Sequence, residues 1–169
     1  MKGYLNKLVT LEFSDIKTSF SGFLLDFNED WILIRSNPVD YIIDGFTILK
    51  NKNLESIIHD DNIQFNEKVI RLKKIKLAND VIIPLSSLEN ILSFLTDKYG
   101  IFQVATKKSS AVYLGRLTEI NEKELFIEFL NTNGVFDGEI SFKNKKIRLI
   151  EFETDYINSL KNYSDSILS

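Results

Sequence analysis

The sequence predicts a mainly β fold, built as two tandem five-stranded small barrels with short α-helices interspersed. Three observations support this prediction. The chain repeats itself once, short apolar runs are separated by polar turns, and a glycine lies early in the second predicted strand of each copy. A glycine at that position suits the sharp bend that a small barrel requires.

The repeat aligns residues 22–57 with residues 115–150 at a constant offset of 93. Eleven of the 36 aligned positions are identical, whereas typical usage frequencies give about two or three by chance. The identical pairs are Gly22/Gly115, Leu24/Leu117, Asn28/Asn121, Glu29/Glu122, Ile34/Ile127, Asp44/Asp137, Gly45/Gly138, Lys50/Lys143, Asn51/Asn144, Lys52/Lys145 and Ile57/Ile150. We therefore expect one domain over residues 1–78 and a second over residues 79–169.

Each copy is predicted to contain five strands, because its apolar runs are rich in β-branched and aromatic residues. The predicted strands are 8–13, 18–27, 31–35, 46–50 and 54–58 in the first copy, and 101–106, 111–120, 124–129, 139–143 and 147–152 in the second. Asn28 and Asn121 follow the second strand of each copy, where asparagine tolerates the positive φ of a tight turn.

Three helices are predicted between and after the copies. One spans residues 64–75 and its counterpart spans residues 155–163, since apolar residues recur there at helical spacing. The third begins at a capping box formed by Ser86 and Glu89 and ends at Gly100. The stripes expected to face inward are Phe65, Val69 and Leu72 in the first helix, and Tyr156, Leu160 and Tyr163 in its counterpart.

A helix followed by five strands, with a glycine early in the second, resembles the Sm-like branch of the SH3-type small barrels. The family motif Gly-x-Leu matches Gly22-Phe23-Leu24 and Gly115-Arg116-Leu117. A second motif, Ile-Arg-Gly-x-x-Ile, matches residues 49–54 and 142–147 with Lys in place of Arg and Asn in place of Gly. Asn tolerates the left-handed backbone of that Gly. The chain is also similar to uncharacterised bacterial proteins that carry two such units.

The resemblance implies RNA contacts at two equivalent turns, because in the Sm family this turn borders an RNA channel. The residues concerned are Lys50, Asn51, Lys52, Lys143, Asn144 and Lys145. The base-holding Asn of the family has no counterpart, since Ile32 and Leu125 stand there and are expected in the core. The net charge of −3 gives no whole-molecule attraction to nucleic acid.

A second basic feature lies on and just after the helix predicted at residues 64–75. Its members are Lys68, Arg71, Lys73, Lys74 and Lys76. Opposite an apolar stripe, such residues form a solvated helix face. The alternative is a stripe that contacts phosphates.

Catalytic and metal-binding patterns are not recognisable in the sequence. There is no cysteine, and the single histidine, His59, is followed by Asp60 and Asp61. No nucleophile motif, metal-ligand spacing or phosphate-binding loop accompanies them, so His59 is expected to be a plain strand-end residue. We therefore expect a non-catalytic protein without a metal or a cofactor.

The outer face of the first barrel is expected to be much more apolar than that of the second. If Leu24 and Ile34 point inward, then Phe23, Leu25, Trp31 and Leu33 point outward. The matching residues of the second copy are Arg116, Thr118, Glu124 and Phe126. Such a face is not left in water. Either another element of the chain covers it, or it is a surface for a protein partner or for self-association, centred on Trp31.

Together these patterns predict a soluble, cytoplasmic bacterial interaction or adaptor protein that binds a protein partner or itself. RNA binding is the alternative, and no DNA partner is expected. A third interpretation is an immunity-type protein that neutralises a toxin. No apolar run reaches the ~18 residues of a membrane helix, so no membrane partner is expected.

Overall fold

The computed structural model describes residues 1–77, 82–106 and 111–168, leaving the side chain of residue 168 aside. It is mainly β, with three α-helices. The chain divides into two compact units, Met1–Ile82 (unit 1) and Ile83–Ser169 (unit 2). The boundary expected between residues 78 and 79 lies outside the described residues. None of the described helices is long and apolar enough to cross a membrane.

Unit 1 opens with a short 3-10 helix at Lys2–Tyr4 and then forms five antiparallel strands and one α-helix. These are β1 (Leu8–Phe13), β2 (Ile16–Phe27), β3 (Trp31–Ser36), β4 (Phe46–Lys50), β5 (Leu54–Ile58) and α1 (Asp61–Leu72). The hydrogen-bonded order of its strands is β5-β1-β2-β3-β4. All five predicted strands of the first copy are therefore present.

Unit 2 begins with a helix and then repeats the same succession of strands. Its elements are α2 (Leu88–Tyr99), β6 (Phe102–Thr106), β7 (Val112–Ile120), β8 (Glu124–Leu130), β9 (Phe136–Lys143), β10 (Ile147–Phe152) and α3 (Asp155–Leu168). The strand order, β10-β6-β7-β8-β9, is the order of unit 1 shifted by one repeat. The predicted duplication is thus visible in the pairing of the strands.

The long second strand of each unit runs against the backbone of its neighbour, and the repeated glycine allows this. A Cβ added at Gly22 would lie 2.5 Å from the carbonyl oxygen of Arg35. A Cβ added at Gly115 would collide with the carbonyl oxygen of Glu128. A β-bulge follows the glycine within a few residues, in the β2–β3 pair of unit 1 and in the β7–β8 pair of unit 2. The glycine is needed because any side chain would push the two strands apart.

The prediction of two closed barrels is wrong, because the described strands form an open sheet in each unit. Closure of unit 1 would require β5 to pair with β4 as well as with β1. It pairs with β1 and not with β4, and Asn53, at a φ of 60°, turns the chain between β4 and β5. In unit 2, β10 likewise pairs with β6 and not with β9, after a 3-10 turn at Asn144–Lys146. Strand number and bending follow from the sequence pattern, but a local apolar pattern does not determine whether the two edges of a sheet meet.

Helix α1 begins three residues earlier than predicted, and its inward face differs from the prediction. The Asp60 side chain caps the helix by accepting a hydrogen bond of 2.9 Å from the backbone N–H of Ile63. Ile63 and Ile70 are the buried residues of the helix. Phe65 and Leu72 are exposed, so the predicted inward stripe is wrong. Apolar residues occur on two sides of this helix, and packing against Leu8 and Phe23 selects one side.

The other two helices show smaller departures from the prediction. The cap of α2 is Ser87, which accepts from the backbone N–H of Asn90 at 3.0 Å, and not the predicted Ser86 and Glu89 pair. Gly100 ends α2 with a φ of 86°, as predicted. In α3 the inward residues are Ile157, Leu160 and Ser164, whereas Tyr156 and Tyr163 are exposed. Only Leu160 of the stripe predicted for α3 lies inward.

Candidate functional site

The asparagines of the predicted RNA-binding turns hold the turns together. In unit 1 the Asn51 side-chain amide donates to the carbonyl oxygen of Asn28 at 2.7 Å. In unit 2 Asn144 donates to the carbonyl oxygen of Asn121 at 2.6 Å. These four asparagines are identical positions of the repeat. Their side-chain amides therefore serve a shared structural function, whatever else they contact.

Asn28 and Asn121 use their side chains to cap the tight turns that follow β2 and β7. The Asn28 Oδ1 accepts from the backbone N–H groups of Asp30 and Trp31, at 2.9 and 2.7 Å. Asn121 accepts from the two matching N–H groups of unit 2. The expected positive φ at these asparagines is wrong, because the side-chain hydrogen bonds stabilise the turn without it. The left-handed backbone expected at Asn51 and Asn144 is likewise absent, and Asn53 adopts it in unit 1.

The lysine of the unit 1 turn is engaged with neighbouring side chains. The Lys50 Nζ lies 3.3 Å from an Asp30 carboxylate oxygen and 4.4 Å from the centre of the Trp31 ring. Lys52 is exposed at the tip of the turn. An anion approaching here meets Asp30 as well as the lysines, so the turn of unit 1 is a poor phosphate site.

The equivalent turn of unit 2 borders a cavity of about 500 Å³, which we call the basic cavity. Its lining residues are Glu122, Lys123, Glu124, Lys143, Asn144 and Lys145. Asp30 of unit 1 is replaced here by Lys123 and Trp31 by Glu124, so this turn has one more cation than that of unit 1 and the same number of carboxylates. The buried Oδ1 of Asn144 has no hydrogen-bond partner in the described structure. Of the predicted RNA-binding residues, Lys143, Asn144 and Lys145 thus line one cavity.

The predicted protein interface on the first copy is largely buried. The exposed fraction is 1% for Phe23 and 2% for Trp31, and Leu33 is buried as well. Phe23 packs with Ile63 and Ile70 of α1, and Leu25 packs against the same cluster. Helix α1 therefore covers Phe23 and Leu25, as in the intramolecular alternative considered above.

The opposite side of α1 carries the apolar residues that sequence patterns placed in the core. Phe65 is 55% exposed and Leu72 is 80% exposed, and Val69 lies between them on the same helix face. We call Phe65, Val69 and Leu72 the outer stripe. Sequence patterns do not reveal this surface because both faces of the helix carry apolar residues. Asp60, a strong N-cap residue, places the start of the helix at Asp61 and so brings Ile63 into its first turn.

Polar contacts hold α1 firmly against unit 1. The Glu67 carboxylate accepts from the backbone N–H of Leu8 at 2.9 Å and from the Arg71 Nε at 2.7 Å. Arg71 also donates to the carbonyl oxygen of Asn6, and the Lys73 Nζ donates to that of Tyr41 at 2.9 Å. Two of the five predicted basic residues therefore bind the helix to its own unit. The outer stripe is consequently presented by a fixed helix.

A smaller cleft of about 220 Å³ lies between α1 and the loop after β3, and we call it the polar cleft. Thr10, Ser21, Asn37 and Asn66 line it. Asn37 is buried and donates through Nδ2 to two carbonyl oxygens of its loop. The cleft has polar groups but no charged pair or nucleophile that would indicate a reaction.

His59 occupies the strand-end position expected for it. Its Nδ1 lies 2.8 Å from the carbonyl oxygen of Leu8, and its ring meets the Tyr4 ring edge-on. No group of three or more side chains suited to a metal ion occurs in the described part of the chain. Ile32 and Leu125, at the position of the family's base-holding Asn, are fully buried as expected.

Comparison of the chain with protein-family models, with curated proteins and with solved structures found no match. The resemblance to Sm-like proteins therefore stays a prediction. The described residues offer two candidate sites. They are the outer stripe of α1 in unit 1 and the basic cavity of unit 2.

Proposed function

We propose that this chain is a non-catalytic interaction protein that binds another protein chain on the outer stripe of α1. The observation that carries this proposal is the exposure of Phe65 and Leu72 on one face of a helix whose opposite face is fully packed. Large apolar side chains that are neighbours on a surface mark interaction sites more often than isolated ones do. Phe and Leu also supply most of their binding energy through burial.

The setting of the stripe favours binding. Arg71 and Lys73 bond to Asn6 and Tyr41, so the segments that contain Leu5 and Tyr41 adjoin the C-terminal part of α1. Leu5 and Tyr41 are themselves partly exposed. Because α1 is already ordered before binding, formation of a complex costs little conformational entropy in this helix.

Capture by the immobilised full chain tests this function. We expect the native chain to retain a protein that the Leu72→Asp variant does not retain. The circular dichroism of the variant is expected to equal that of the native chain, because Leu72 is exposed. Ile167→Asp is the matched control, since Ile167 is an exposed apolar residue of a helix in unit 2. Retention of the same proteins by all three chains would contradict the proposal, as would retention of none.

A second candidate function is the binding of single-stranded RNA at the basic cavity of unit 2. The observation that favours it is the gathering of Lys123, Lys143 and Lys145 around one cavity. Lysines bind phosphates through charge. Glu122 and Glu124 oppose this attraction, and the phosphate contacts of the lysines would make the affinity for RNA fall as the salt concentration rises.

Fluorescence anisotropy with a pool of short RNAs tests this second function. We expect Lys143→Glu and Lys145→Glu to weaken binding, and the matched changes Lys50→Glu and Lys52→Glu in unit 1 to have little effect. Each lost phosphate contact reduces the steepness of the plot of log binding constant against log salt concentration by roughly 0.7 for a single strand. Equal effects in the two units, or no binding at low salt, would exclude the basic cavity as an RNA site.

A further inference from the structure

The outer stripe has the spacing of a helix-pairing seam. Phe65 and Val69 are four residues apart, and Val69 and Leu72 are three apart. Alternating steps of four and three place side chains along one line of a helix, as in the a and d positions of coiled coils. A second helix laid along α1 would therefore contact all three side chains at once.

The charges along α1 are divided between its two ends. Asp60 and Asp61 stand at the start, and Lys73 and Lys74 follow directly after its last residue. A parallel copy of the same helix would bring like charges together at both ends. An antiparallel copy places carboxylates opposite lysines at both ends and also aligns the helix dipoles favourably.

We propose that the occupant of the outer stripe is a second copy of this chain, bound through an antiparallel pair of α1 helices. This proposal rests on the proposed function and assigns its binding face to self-association. Phe65 of each copy faces Leu72 of the other, and Lys68 and Val69 lie beside the two-fold axis.

Self-complementarity is what favours a second copy over an unrelated partner. A two-fold interface uses the same patch on both chains, so the patch must match its own rotated image. The ends of α1 meet this condition in charge, because Asp61 and Lys74 exchange places on rotation, while the two copies of Lys68 near the axis oppose it.

Light scattering of the full chain during size exclusion tests whether the pair forms. We expect a mass of twice 19.5 kDa for the native chain at high concentration. Leu72→Asp and Phe65→Ser are each expected to reduce it to the mass of one chain, and Ile167→Asp to leave it doubled. A single-chain mass for the native protein at all concentrations would overturn the proposal, as would a dimer that persists in both stripe variants.

Disulfide trapping tests the direction of the pair, because the chain contains no cysteine of its own. Lys68→Cys is expected to cross-link two copies efficiently, since this position lies beside the axis. Asp61→Cys is expected not to, because antiparallel pairing separates the two helix starts. Asn162→Cys, an exposed position of α3, measures cross-linking by random collision. Equal cross-linking at positions 61 and 68 would overturn the antiparallel arrangement.

The two proposals fail in distinguishable ways. A monomeric native chain that captures another protein through Leu72 overturns self-association and retains the proposed function. A monomeric native chain without any capture that depends on Leu72 overturns both.

Discussion

The two units of this chain show how one duplicated scaffold accommodates opposite surface chemistry. In unit 1, β3 is buried on both faces over residues 31–34, and β4 is buried over residues 46–49. In unit 2, the matching β8 alternates between buried and partly exposed residues near its start, and β9 is mostly exposed. The strand order, the bending glycine and the asparagine turns are the same in both. The two units therefore share the features that determine the path of the backbone, while their outward-facing side chains differ.

The same divergence appears beneath the helix that follows each sheet. In unit 2, Leu114 and Leu130 pack with Ile157 of α3 in an apolar cluster. Their counterparts in unit 1 are Ser21 and Asn37, which line the polar cleft. An apolar position of one copy is thus a hydrogen-bonded polar position in the other. Exchanging these residues between the copies tests most directly whether each copy requires its own polar or apolar side chains.

Leu130→Asn, which makes unit 2 resemble unit 1, is the change with the largest expected effect. It removes buried apolar surface and leaves an amide without partners, so we expect a loss of about 3–4 kcal/mol in the free energy of unfolding. Urea denaturation measures this loss. The reciprocal change Asn37→Leu removes two hydrogen bonds and is expected to cost less, about 1–2 kcal/mol. Equal losses in the free energy of unfolding for Leu130→Asn and Asn37→Leu would contradict the difference between the apolar cluster of unit 2 and the polar cleft of unit 1.

Substitution of the repeated glycine tests the feature that the units share. Gly22→Ala and Gly115→Ala each force a methyl group against a neighbouring carbonyl oxygen, so we expect losses of about 2–3 kcal/mol in both units. Gly3→Ala is the matched control, since a Cβ there meets nothing within 4 Å. Thermal and urea unfolding measure the three variants. A neutral effect at either repeated glycine would remove the argument for a required close approach.

Removal of the turn amides is expected to have a smaller effect than substitution of the repeated glycine. Asn51→Ala and Asn144→Ala each delete one hydrogen bond to the carbonyl oxygen of Asn28 or Asn121, which costs about 1 kcal/mol. Asn133→Ala, in a loop of unit 2, retains the hydrogen bond from the Asn133 backbone N–H to the Asn131 Oδ1 and serves as the control. If Asn144→Ala abolished RNA binding without any change in stability, its role would be recognition, and the structural equivalence of the two turns would fail.

The sequence predicts the strands, the duplication and the buried positions Ile32 and Leu125 well, because these depend on local apolar patterns and on identity between the copies. It fails on closure of the barrels, since local apolar patterns do not determine whether the two edge strands of a sheet pair with each other. It also fails on the phase of α1, where two apolar faces compete and tertiary packing decides. The candidate binding surface follows from that second failure: the residues expected inside are those that lie outside.

The phase of α1 is therefore the central claim, and stability measurements on its two faces test it most directly. Urea unfolding of Ile70→Ala and Leu72→Ala compares neighbouring residues on opposite sides of one helix. We expect Ile70→Ala to lower the free energy of unfolding by about 3 kcal/mol, because Ile70 is fully buried. Leu72→Ala is expected to change it by less than about 0.5 kcal/mol, measured where the protein is dilute. The opposite ranking would place Leu72 in the core and contradict the account.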